Sequence, residues 1–235
     1  STFRPVVVLI AFLFSLSSYA ADFYWINGSG NWNDPAHWST SSGGASAGVV
    51  PSGTDNVIFD NSSFQNSPFP VVNLNIDAQV NSINFQSAQF TRIISDTKKL
   101  TVHGAINATE NFYIGLSELI FSSSSPLSHS INTNNSDINA NIIFQSGHWE
   151  LNSPLKTTLQ NSIEFVDGSF TSNGHTIFAQ NINANSGQYD LNLENSVVFA
   201  VSAIDFSTSN DIGSIGADFH TTEVETEQAA KGGFG

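Results

Sequence analysis

The sequence predicts an all-β protein, a parallel β-solenoid of about seven coils with a Trp-rich N-terminal cap. Three observations predict it. A short apolar strand running into a polar turn recurs about every 20 residues. The copies are Ile83-Asn84-Phe85, Leu100-Thr101-Val102, Leu119-Ile120-Phe121, Ile142-Ile143-Phe144, Ile163-Glu164-Phe165, Ile182-Asn183-Ala184 and Ala203-Ile204-Asp205-Phe206. A fixed period of that size marks coils that bury their apolar faces only by stacking on neighbours. The turns are the second observation: Gln86-Ser87-Ala88-Gln89, Gln145-Ser146-Gly147-His148, Val166-Asp167-Gly168-Ser169 and Asn185-Ser186-Gly187-Gln188. Three of the four carry Gly in third place, where a tight turn needs positive φ. Third, an aromatic follows each turn: Phe90, Trp149, Phe170 and Tyr189. Alternating strands such as Trp149-Glu150-Leu151-Asn152 then put the aromatic and the Leu on one face. Stacked coils would align these rings into an internal ladder. An antiparallel sandwich of regular hairpins is the competing fold. The recurrence of turn plus aromatic in register, and the scarcity of Asn-Gly hairpin dipeptides, favour the solenoid.

The elements follow in order. Residues 1–20 read as a signal peptide: Arg4, then the apolar run Val6 to Leu16, then the small residues around Ala20 and Ala21. The run is shorter than the ~20 residues of a comfortable bilayer span. The mature form, starting near Ala21, is therefore not expected to span a membrane. Residues 21–70 form the cap, with Trp25, Trp32 and Trp38 and a Gly/Pro-dense stretch from Gly43 to Gly53. Residues 71–206 form the solenoid. Residues 207–235 leave the repeat, turn acidic and end in Gly, an expected tail or the start of a further region.

Composition narrows the function. The chain is 40% hydrophobic, enough for a core, but only 11% charged. Asn, Ser and Thr replace the missing charge, and their side chains suit stacked turns. Six Lys plus Arg stand against 20 Asp plus Glu, a net charge of −14. Such a surface repels phosphate backbones, so nucleic acid is not an expected partner. With no Cys there is no disulfide framework, no thiolate metal site and no cysteine nucleophile.

Three chemistries are open to these residues. The six His are scattered, without metal-ligand spacing. Asp34 lies in an oxygen-rich loop and Asp55 and Asp60 bracket a strand, placements that can hold calcium, the one cofactor the sequence suggests; the Gly-Gly-x-Gly-x-Asp calcium repeat is lacking, and ordinary Asn/Asp turn bonding is the simpler reading. A polysaccharide lyase or hydrolase would need clustered acids or cations. Arg92, Lys98, Lys99 and Lys156 are too sparse, and Glu150, Glu164, Asp167 and Asp190 read as solvated turn positions. No catalytic residue is assigned and no enzyme is expected. Trp25, Trp32 and Trp38 could stack on sugar rings as a ligand site; covering the open end of the stack is their simpler role.

Two segments resemble a known family. The first is Tyr24-Trp25-Ile26-Asn27-Gly28-Ser29-Gly30-Asn31-Trp32-Asn33-Asp34-Pro35-Ala36-His37-Trp38-Ser39 with Pro51-Ser52-Gly53-Thr54-Asp55-Asn56-Val57-Ile58-Phe59-Asp60. It resembles the opening of large secreted surface proteins of Bacteroidota, which often carry a type IX secretion signal and include adhesins of the gliding-motility kind. The second, Gly168 to Ile177 with Leu191-Asn192-Leu193-Glu194-Asn195-Ser196, is similar to the β-helical repeats that follow that opening. The resemblance implies an extracellular, cell-surface location and a structural or adhesive role. It implies the secretion translocon as a partner during export, and other surface proteins or polysaccharide thereafter. A carbohydrate-active or carbohydrate-binding β-helix is the alternative.

Overall fold

The computed structural model describes residues 20–65, 67, 69–184 and 189–206, with the backbone strands Asp218–His220 and Val224–Glu225. The signal-peptide reading, the turn Asn185 to Gln188 and most of the acidic tail lie outside the described residues.

The chain winds as stacked parallel coils, each coil contributing to three faces. The first face stacks Asp22–Trp25, Asn56–Phe59, Ile83–Phe85, Ile106–Ala108, Ser128–Asn132, His148–Leu151, Gly168–Thr171 and Tyr189–Asn192. From Asn56–Phe59 to Tyr189–Asn192 these rungs bound about six complete turns. The second and third faces share one sheet. Long strands such as Phe112–Ser122, Asp137–Ser146 and Ile177–Asn183 run across the corner between them. At ~4.8 Å per coil, six turns rise ~29 Å.

Period-two alternation decides what each face buries. On the third face Ala78, Leu100, Leu119, Ile142, Ile163, Ile182 and Ile204 pair rung on rung in one column. Beside them Val80, Val102, Phe121, Phe144 and Phe165 form a second column. The first face stacks Phe23, Val57, Ile83, Ile106, Ile131 and Leu151, and the second stacks Val72, Ile93, Ile114 and Ile138. All are buried. Each coil thus buries its apolar side chains against the coils above and below, as the repeat requires.

The repeat phrase belongs mainly to the third face. Ile83-Asn84-Phe85 is the exception: it lies on the first face and stacks on Val57 and Ile106. The internal ring ladder also differs from expectation. Trp149 and Phe170 are in register, but the residue above Phe170 is Leu191, while Tyr189 pairs with Gly168. Phe90 lies outside the core, 50% exposed. Phe121, Phe144 and Phe165 stack in parallel at 4.9 and 5.0 Å, with Trp149 and Phe170 edge-on or tilted against them, and Phe59, Phe85 and Phe112 stack in parallel nearer the N-terminal end.

Turn chemistry explains the Asn and Gly. Gly147 and Gly168 turn the corner from third to first face with φ near +100°. A Cβ on Gly168 would sit 2.0 Å from the Gly147 carbonyl oxygen, so only glycine lets these turns stack. Asn134, Asn135, Asn173 and Asn195 take positive φ at the opposite corner, from first to second face, a conformation Asn tolerates better than most residues.

The Trp-rich segment is built into the stack. Asp22–Trp25 pairs in parallel with Asn56–Phe59, and Gly30–Asn31 with Val71–Asn73. The fold therefore has no break at residue 71. The first face ends in Trp38–Ser39, which returns antiparallel on Asp22–Trp25 with Trp25 opposite Trp38. A two-residue antiparallel strand leaves little free edge for another chain to extend.

Candidate functional site

Among the fully described corners between third and first faces, most are one to three residues long and one is longer. Between Asp137–Ser146 and His148–Leu151 the turn is Gly147 alone; between Ser162–Phe165 and Gly168–Thr171 it is Val166-Asp167. Between Phe112–Ser122 and Ser128–Asn132 it lengthens to Ser123-Ser124-Ser125-Pro126-Leu127. This loop stands off the stack, with Leu127 71% exposed. Ser123 Oγ accepts from the Ser125 N–H, and Ser125 Oγ from the Leu127 N–H, two short local turns that shape it.

The loop forms one wall of an open groove of about 770 Å³. Ser52, Gly53 and Thr54, just before Asn56–Phe59, form the other wall. Gln79, Asn81 and His103 line the space between, and His129 closes one end. His103 Nδ1 donates to the Ser122 carbonyl, and its Nε2 meets Gln79 Oε1 at 3.1 Å. A Cβ on Gly53 would lie within about 3.2 Å of both Gln79 and His103, so a glycine there lets the loop pack closely on them.

His129 owes its place to register. It pairs with Trp149 of the next rung, so an imidazole occupies the column position that an indole fills one coil on. The two rings are 5.2 Å apart. His129 Nε2 is 2.8 Å from Ser123 Oγ. Burial holds its pKa below the usual imidazole value, and nearby His148 adds to that.

The sequence-nominated residues lie elsewhere. Trp25, Trp32 and Trp38 cluster at the N-terminal end and are fully buried, so none offers a ring face to a sugar. Trp38 stands edge-on to both Trp25 and Trp32 at 4.9 Å, and His37 stacks flat on Trp25 at 4.7 Å. Trp25 Nε1 donates to the Gly28 carbonyl and Trp38 Nε1 to that of Trp32. These rings fill the end of the core. The three carboxylates are not brought together. Asp34 accepts from the Ala36 N–H and caps a short 3₁₀ turn. Asp55 accepts from the Ser52 N–H and hydroxyl, and Asp60 from the Ser62 N–H. Each carboxylate shapes its own turn, and no cluster of three His, Asp or Glu that could hold a metal occurs among the described residues.

Sequence reasoning missed the groove. Its imidazoles lie 26 positions apart and read as scattered, yet stacking brings them to one place. The signal that could have found it is the run of four Ser before Pro126, which lengthens one turn of the repeat. No family model matches the chain, and neither a curated protein nor a solved structure does.

Proposed function

We propose that this chain is a rigid segment of an exported cell-surface protein, a stalk or adhesive side wall. The observation that supports it most is the unbroken column from Leu100 through Leu119, Ile142, Ile163 and Ile182 to Ile204. Slipping one coil against the next by one residue would turn that coil's apolar set toward water, so the register resists bending and shear. The family resemblance and the signal-like residues 1–20 support export. Long faces of Asn, Ser and Thr suit a surface that meets water on every side.

Two measurements test the two halves of this reading. Spin labels at Thr101 and Asp205, on the third face in different coils, should give one narrow distance distribution. A broad or bimodal distribution would refute rigidity. For export, the chain expressed with residues 1–20 should leave the cytoplasm and carry a mature N-terminus near Ala21. Retention in the cytoplasm with an uncut N-terminus would refute it.

A further inference from the structure

We propose that the groove walled by Ser123 to Ser125 and Ser52 to Thr54 binds a neutral, hydroxyl-rich ligand, a short stretch of saccharide. The inference stands apart from the stalk reading and concerns a site the sequence did not nominate.

Three observations carry it. The first is position. Among the fully described corners of this edge the turn is one to three residues long except at Ser123 to Leu127, and those residues give the groove its wall. A loop held out from a rigid scaffold is where a binding function is usually placed.

The second is lining chemistry. Beside the methyl of Ala20, the last residue before the expected cleavage point, the side chains facing the space are hydroxyls of Ser52, Thr54, Ser123, Ser124 and Ser125, amides of Gln79 and Asn81, and imidazoles of His103 and His129. No Asp, Glu, Lys or Arg lines it, although the chain carries 20 acids. A cationic ligand would be expected to meet a carboxylate there. An anionic ligand would have to approach a chain of net charge −14 without a cation to receive it. With its basicity lowered by burial, His129 adds little positive charge near neutral pH. A neutral ligand is what remains. Hydroxyls and amides both donate and accept, which matches the paired donor and acceptor capacity of sugar hydroxyls.

The third is pre-organisation. The Ser123 hydroxyl is fixed by the Ser125 N–H and His129 Nε2, and the His103 ring by its Nδ1–H bond to the Ser122 carbonyl. Polar groups already held in place lose less freedom when a ligand arrives.

The test uses the folded chain and a panel of neutral oligosaccharides built from glucose, galactose, mannose and N-acetylglucosamine, with uronate oligomers alongside. At least one neutral member should bind saturably. Gln79→Ala and Ser123→Ala should each weaken it about tenfold, the cost of one lost hydrogen bond in a binding site. Glu164→Gln, on the third face away from the groove, should leave binding unchanged. In the unaltered protein, the imidazole NMR signals of His103 and His129 should move on titration while that of His175 stays still, a readout independent of any variant's folding. Binding of no neutral member overturns the proposal. So does a preference for uronates, binding indifferent to both groove variants, or titration that leaves both imidazoles unmoved.

Discussion

Replacing Phe144 by Ala probes the central column directly. Phe144 is 2% exposed. Its ring lies parallel between Phe121 and Phe165 at 4.9 and 5.0 Å, with Phe170 edge-on at 4.8 Å and Trp149 tilted at 6.4 Å. Truncating a buried Phe costs about 3–5 kcal/mol when the cavity cannot collapse. Here the cavity is walled by parallel strands pinned on both sides, which cannot close without losing register. Four ring contacts vanish as well, and aromatic pairs add about 0.5–1.5 kcal/mol each to burial. The loss should fall at the upper end, about 4–5 kcal/mol. For a body of this size that corresponds to a fall in Tm of about 8–20 °C. Urea denaturation followed by circular dichroism and by Trp emission measures it, since Trp149 lies beside the site while the other indoles lie in the N-terminal cluster. Asn152→Ala, exposed on the adjoining face, should change stability by less than about 0.5 kcal/mol. Equal small losses at both positions would show that Phe144 does not stack between rungs and that the register is wrong.

The remaining predictions concern a turn, a buried hydroxyl and an imidazole. Gly168→Ala should cost about 3–5 kcal/mol, because its Cβ would strike the Gly147 backbone, whereas Gly48→Ala, with φ +72° and nothing within 4 Å, should cost only about 1–2 kcal/mol of left-handed strain. Near-equal melting temperatures for the two variants would contradict the stacked-turn account. Ser153→Ala removes the hydroxyl that accepts the Thr133 N–H at 2.7 Å, leaving a buried donor alone, and should cost about 1–3 kcal/mol by chemical denaturation; Ser153→Thr should recover part of that. His129 has a folded-state pKa below its unfolded value, so the unfolded chain takes up the proton first as pH falls. Its contribution to stability is therefore complete above the ordinary imidazole pKa of about 6.5 and is lost as pH drops below it. His129→Gln should flatten that part of the pH–stability curve between about pH 7 and 5; an unchanged slope would remove His129 as its source.

Much of the fold was legible in the chain because its information is local. Alternation of the Ile163-Glu164-Phe165 kind fixes which side chains of a strand turn inward, and Gly147, Gly168 and Asn173 announce corners where the backbone needs positive φ. The three Trp near the N-terminus announced a covered end, and the two-residue antiparallel strand Trp38–Ser39 provides it. Those features depend on neighbours a few residues away. What the tertiary structure decided is which copies stand above which, and that depends on how turn lengths add up along the chain. Ile83-Asn84-Phe85 looks like its successors yet sits on another face. Tyr189 follows a turn as Phe170 does, yet falls two positions out of the column that Leu191 enters. Phe90 follows a turn and stays outside. The groove has the same origin. Gln79, His103 and His129 are distant in sequence, and no local pattern joins them. Only the rise of one rung per coil, and one turn five residues long, sets them around a common space.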